Sequence, residues 1–352
     1  MSILLVNFLV SLVVVVFAQS DKKASRYAAL FMFACVFILH AFADISSLED
    51  LTAYSLGFEE IKKMSVWQCI TTNVVICKME RGFALILKLF SLLGLNFRAF
   101  LIANSLFVSL LFYKGIVKYS PSILTSCLLF LLVINSQSIY VLRQYLVMSI
   151  FFYSIRWVIE RNVYKYLTVC FVCFFIHQSS LILIPLYFLY NIGLKKLLAI
   201  LLLSTFILNK FIEVVLNYFL SNLAGYGSYA SFEKLEGQNS TGFIISIVYL
   251  LLYVWYLKRD IWTEGIKRLL FVCALLNILL LYFGIGLDFS ARLSIYFGSL
   301  NILLVPIMLN YVKAPLVRYT ILVGCLILNS IITFYGSLSM ESSNYRLASF
   351  LS

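Results

Sequence analysis

Leu269-Leu270-Phe271-Val272-Cys273-Ala274-Leu275-Leu276-Asn277-Ile278-Leu279-Leu280-Leu281-Tyr282-Phe283-Gly284-Ile285 carries one amide and no charge, and Lys267-Arg268 stand directly before it. A helix needs about 20 predominantly apolar residues to cross a hydrocarbon core of about 30 Å, and basic residues gather at the cytoplasmic ends of spans. The stretch therefore reads as a helix entering the membrane from the cytoplasm. Eleven further apolar runs share its character, at roughly 2–18, 28–43, 98–113, 121–136, 141–158, 164–178, 179–192, 196–212, 242–257, 291–310 and 319–335. The expected fold is an all-α polytopic membrane protein of about 12 transmembrane helices, forming a single integral domain over 1–352.

Composition points the same way. Of the 352 residues 63% are hydrophobic and only 12% charged, and the mean hydropathy is +1.00, which excludes an ordinary soluble enzyme. Three hydrophilic stretches remain, 44–97, 213–241 and 336–352, and none is long enough for a separate soluble domain. The first is expected to be an outer loop carrying an interfacial helix at 80–94, and 213–241 a second outer loop. The run 2–18 has no basic residue before it and Lys22, Lys23 and Arg26 after it, so it reads as a retained helix entering from outside. The stretch 164–192 fits one long helix, which puts Lys195 and Lys196 outside, or two short spans hinged at His177-Gln178-Ser179-Ser180, which keeps them inside. The second reading is adopted.

The net charge of +12 is then an orientation signal. The cytoplasmic loops hold 16 of the 27 basic residues against Asp21, Glu160, Asp260 and Glu264, whereas the outer side is balanced. No basic block tracks a phosphate backbone, so no nucleic-acid partner is expected. Six of the 8 cysteines lie within apolar runs, where they act as small hydrophobic residues. Cys69 and Cys77, in the first outer loop, fit either a disulfide or two free thiols.

Ionisable groups at membrane depth are costly and mark functional candidates. On the outer side these are Arg143, His177, Asp288 and Arg292. Arg143, followed by Gln144, opens a helix, where a guanidinium and free N–H groups together suit an anion. Arg292 and Tyr296 are four apart and share a helix face with Ser299, while Asp288 stands four before Arg292 and could neutralise it. His177-Gln178-Ser179-Ser180 is a polar tetrad between apolar runs. Asp44, Glu49, Asp50, Glu59, Glu60 and Glu80 lie in the first outer loop, most of them expected on its solvated surface. Tyr226 and Tyr229, beside glycines in 213–241, suit the faces of sugars. There is no phosphate-binding glycine loop, nicotinamide fingerprint, HExxH or GxSxG sequence in a credible context, so an ATP-driven pump, a nicotinamide enzyme and a zincin are unlikely readings.

These pieces resemble the EpsG-like branch of the Wzy-type polysaccharide polymerases. Arg143-Gln144-Tyr145-Leu146, followed by Phe175-Ile176-His177-Gln178-Ser179-Ser180 and then Pro185, is similar to that family's "RQ" helix and "fH.Sal…lP" segment. Glu80-Arg81-Gly82-Phe83 looks like its "E.gf" helix start. Asp50, Tyr54 and Phe58 resemble its "D…Y…F" loop, and Arg292 to Phe297 with Pro306 its "R…YF…P" helix. The ordered set covers about 40 to 310. One departure is Ala43-Asp44-Ile45, where the family usually has a glycine two residues before the aspartate.

The resemblance implies a GT-C-like glycosyltransferase of the bacterial inner membrane, working on the periplasmic face without metal or other cofactor. It would join undecaprenyl-diphosphate-linked repeat units into O-antigen or capsular polysaccharide, with membrane lipid and a chain-length regulator as further partners. Arg143 and Arg292 would stabilise the leaving diphosphate and His177 would act as base. Glu80 and Asp50 are further loop candidates; with Gln144, Gln178, Tyr296, Tyr54, Tyr226 and Tyr229 they would bind substrate. Two other readings use similar residues: a flippase for lipid-linked oligosaccharide, and an O-antigen ligase.

Overall fold

The computed structural model describes residues 21–72, 79–207, 240–263, 265–284 and 288–338. Helices dominate the described residues, and no strand occurs among them. The expected span at 2–18, most of the second outer loop with Tyr226 and Tyr229, and Cys77 lie outside them. Among the described residues four helices are long and apolar enough to cross a membrane: Lys22–Ala41, Phe97–Tyr119, Ser240–Leu257 and Ile266–Gly284. A fifth span is possible by length and composition where Phe289–Gly298 and Asn301–Leu309 meet at a 43° bend. Ile123–Asn135, Val163–Ile176 and Pro315–Ser330 are shorter apolar helices.

The chain divides into two compact units. The first takes in Met1–Tyr153, Phe175–His177 and Val312–Ser352. Here helix Lys22–Ala41 packs along Phe97–Tyr119, which buries Phe100, Leu101, Asn104, Ser105, Val108, Phe112, Gly115 and Ile116 at helical spacing. Its small residues let neighbours approach, as membrane helices require. Beyond helix Ile123–Phe130 the chain loosens into a π-helical turn, Leu131–Asn135, where Asn135 Oδ1 meets His40 Nε2 at 2.9 Å.

The stretch 44–97 contains three helices. Glu49–Lys63 buries Leu51, Tyr54, Phe58 and Ile61. It opens on Glu49 and Asp50 and closes on Lys62 and Lys63, charges that complement the helix dipole. Val66–Thr71 begins with a capping box, Ser65 Oγ accepting from Gln68 N at 3.1 Å and Gln68 Oε1 from Ser65 N at 2.7 Å. Both helices pack on Arg81–Leu92, the helix expected at 80–94. Lys88 is buried and its Nζ donates to the carbonyl of Lys62 at 3.2 Å, capping the end of Glu49–Lys63. Arg98 ties the loop's start in place by donating to Ala41 O and Ala43 O at 2.9 and 2.6 Å.

The second unit comprises Ser154–Phe174 and Gln178–Tyr311. Helix Ile266–Gly284, which takes in Leu269 to Gly284 of the apolar run before Ile285, packs against Asp288–Gly298 and Ser240–Leu257. Asn277, the one amide in that run, donates to Ser246 Oγ at 2.9 Å, so the polar interruption is a helix-to-helix tie. Before the start of that run, Asp260 accepts from Lys267 Nζ at 2.9 Å and from the Tyr311 hydroxyl at 2.6 Å.

Candidate active site

The candidate residues of the first unit meet at Glu80. This residue stands at the N-cap of helix Arg81–Leu92 and Arg143 is the second residue of helix Leu142–Ile159. His177 occupies the break that follows helix Val163–Ile176, before the 3-10 turn Gln178–Leu183. The hinge expected at His177-Gln178-Ser179-Ser180 therefore falls where the helix stops.

One Glu80 carboxylate oxygen, Oε2, accepts from Arg143 Nη1, and the other, Oε1, lies 2.7 Å from His177 Nδ1. Arg143 Nε donates to the Tyr54 hydroxyl at 3.0 Å, and its guanidinium sits 5.4 Å from the centre of the Tyr54 ring. The Glu80 side chain is 5% exposed, whereas His177 and Arg143 retain 14% and 19%, so the carboxylate is internal and its two partners reach outward. Burial alone would raise the Glu80 carboxyl. Arg143 and the hydrogen bond from His177 outweigh it and hold the group at about 2. An ionised carboxylate is an acceptor only, so His177 Nδ1 carries the proton of this hydrogen bond. The carboxylate thereby fixes the orientation of the imidazole ring.

Glu80 thus departs from the solvated surface expected for most acids of its loop. Tyr54, expected as a substrate contact, is a buried partner of Arg143, and burial pushes its hydroxyl up. Asp50 precedes Tyr54 by one helical turn, and its charge acts on the Tyr54 hydroxyl. Asp44 caps the turn Ile45–Ser47, accepting from Ser46 N at 3.0 Å and Ser46 Oγ at 2.8 Å. Gln144 is buried beside Arg143.

In the second unit, Tyr296 of helix Asp288–Gly298 is fully buried and its hydroxyl meets Ser179 Oγ at 2.9 Å. Arg292, four residues earlier on that helix, is exposed. Gln178 opens the turn that carries Ser179. The partnership of Ser179 with Tyr296 spans 117 positions, and the only trace of it in sequence was a hydroxyl within the polar tetrad. Among the described residues no three His, Cys, Asp or Glu side chains converge as a metal site.

A chain that is helical over its described residues, with several apolar helices long enough to span a bilayer and a buried carboxylate that holds an arginine and a histidine, defines a helical membrane protein with a polar cluster built around one carboxylate. The EpsG family model matches residues 28–350, and the chain belongs to the EpsG family. Membership carries a polysaccharide-polymerase-like role of the glycosyltransferase type. No curated protein and no solved structure matches the chain.

Proposed function

We propose that the protein polymerises undecaprenyl-diphosphate-linked oligosaccharide repeat units on the periplasmic face of the bacterial inner membrane, as a GT-C-like enzyme of about 12 spans. The observation that carries this reading is the Glu80-centred constellation in a chain matched to the EpsG family over 28–350.

In the reaction, the acceptor sugar hydroxyl attacks the anomeric carbon of the donor chain. The bond between that carbon and the diphosphate oxygen breaks, and undecaprenyl diphosphate departs with the electron pair. His177 Nε2 takes the hydroxyl proton and releases it to solvent, while Glu80 holds the ring and stabilises the imidazolium that forms. Arg143 keeps Glu80 ionised and faces the charge that builds on the leaving diphosphate, a role for which Arg292 is the other candidate by sequence. One such fixed donor is worth on the order of 10²–10³ in rate. Arginine suits the task because its planar fork matches phosphate oxygens and stays charged. A guanidinium in that role supplies the positive charge that a metal would otherwise provide. Asp50, Gln144, Gln178, Tyr226 and Tyr229 remain as contacts for the repeat unit.

Complementation of a polymerase-deficient host tests this, with polysaccharide length read on a gel. Arg143→Ala, Arg292→Ala and His177→Ala, at wild-type protein levels, leave single-repeat material exposed on the outer side. Long chains persisting in all three would overturn the reading. Lipid-linked single units trapped inside would indicate a flippase, and long chains retained on the lipid carrier a ligase.

A further inference from the structure

The close approach beside the Glu80 cluster occurs at Gly82. A Cβ placed on Gly82 would stand 2.5 Å from the Phe175 carbonyl oxygen, 2.6 Å from its carbonyl carbon and 2.8 Å from its Cβ. Two of those atoms are backbone in the last turn of helix Val163–Ile176, so no rotamer change relieves the clash. The positive-φ glycines of the described chain are Gly94 and Gly265, so conformational freedom is not what Gly82 supplies. A glycine inside a helix costs roughly 0.5–1 kcal/mol relative to alanine, so its place here follows from the space it leaves.

The contact and the acid–base pair are coupled by position. Glu80 lies two residues before Gly82, and His177 two residues after Phe175. A carbon and a carbonyl oxygen pack at roughly 3.4 Å, so a methyl group at Gly82 must part the two segments by about 1 Å. The His177–Glu80 bond is 2.7 Å long. Lengthened by about that much it is no longer a hydrogen bond.

We propose that Gly82 is a positioning residue, whose missing Cβ sets the approach of helix Arg81–Leu92 to the end of Val163–Ile176 and so the length of the Glu80–His177 hydrogen bond. Its effect on polymerisation rests on the catalytic role proposed for His177; its effect on geometry does not.

The histidines provide a readout separate from activity. The chain has 2. His177 presents Nδ1 to Glu80, whereas His40 presents Nε2 to Asn135 Oδ1, so opposite tautomers are expected. The full-length protein, labelled with 15N-histidine and held in lipid nanodiscs at mildly alkaline pH, should give one signal set of each kind. In Gly82→Ala the Nδ1–H tautomer of His177 is lost and polymer yield falls on the order of 10²-fold, the scale of a 1 Å misplacement. Arg81→Ala, at an exposed neighbouring position, leaves both signals unchanged. A Gly82→Ala protein with wild-type tautomers overturns the proposal. A changed tautomer with unaltered chain length supports the positioning role and overturns the catalytic reading of His177. Where Gly82→Ala does not accumulate, Gly82→Ala/Phe175→Gly, which removes the Phe175 Cβ and lets its carbonyl turn aside, regains both accumulation and tautomer. Failure of that double variant to regain them also overturns the proposal.

Discussion

Glu80 and His177 are 97 positions apart and share a 2.7 Å hydrogen bond, and the same carboxylate accepts from Arg143 through its other oxygen. A buried carboxylate beside a guanidinium stays ionised, and a carboxylate bonded at Nδ1 fixes the orientation of the imidazole. Arg143 therefore has a structural task in the protein as it stands, holding Glu80 and Tyr54 together.

Removing the charge while keeping the shape isolates that task. Glu80→Gln is expected to lower the initial rate of chain extension by about 10²–10⁴, the range attributed to a positioned base. The Glu80→Gln/His177→Gln pair should cost about as much as either change alone, because residues acting as a unit are not additive. Membrane vesicles supplied with lipid-linked repeats provide the measurement.

Acid sensitivity should follow the same group. The folded Glu80 carboxyl is held at about 2, below its ordinary 4.5, so the native state binds this proton less readily than the unfolded chain. The stabilisation is complete above pH 4.5 and is lost as the pH falls towards about 2. It amounts to at most about 3 kcal/mol. Thermal unfolding in detergent across that window should show a decline that Glu80→Gln lessens.

The arginine and its phenol can be separated. Arg143→Lys keeps a charge but loses the fork that reaches Glu80 and Tyr54 together, and more than tenfold of polymer yield should go with it, a loss of over about 1.4 kcal/mol. Tyr54→Phe removes one hydrogen bond to a charged group, so a loss of roughly tenfold sets its upper range. Gel profiles at matched protein levels distinguish the two.

Tyr296 and Ser179 form a second measurable pair. Tyr296→Phe and Ser179→Ala should each destabilise the protein by about 1 kcal/mol. The double variant should lose less than the sum, and thermal unfolding of the four proteins closes the cycle.

Orientation makes a further prediction. Alkaline phosphatase fused after Lys62 should be active, and after Lys196 or Lys313 inactive, since only the first lies on the outer side of the proposed topology. Activity in the reverse pattern would invert the assignment.

Much of this was legible because single residues carried it. Arg143 stands out as an outer arginine at a helix start, and His177 as a histidine in a polar break between apolar runs. Glu80 was harder to rank because six acids share its loop and nothing local separates the buried one from the rest. Its partners lie 63 and 97 positions away, a distance that periodicity does not read. The helix Glu49–Lys63 was hidden by its polar composition, although Leu51, Tyr54, Phe58 and Ile61 recur at helical spacing. The Ser179–Tyr296 tie was invisible because a hydroxyl gives no sign of which side chain it will meet.

Helix Glu49–Lys63 separates its duties by side. Its inward row supports the Arg143 cluster through Tyr54, and its ends are held by its own charges and by Lys88. Leu56, Glu59, Lys62 and Lys63 face outward, where substitutions generally shift stability by no more than about 0.5 kcal/mol. The exposed face of this helix can thus vary in composition without disturbing the Tyr54–Arg143–Glu80 cluster that its inward row supports.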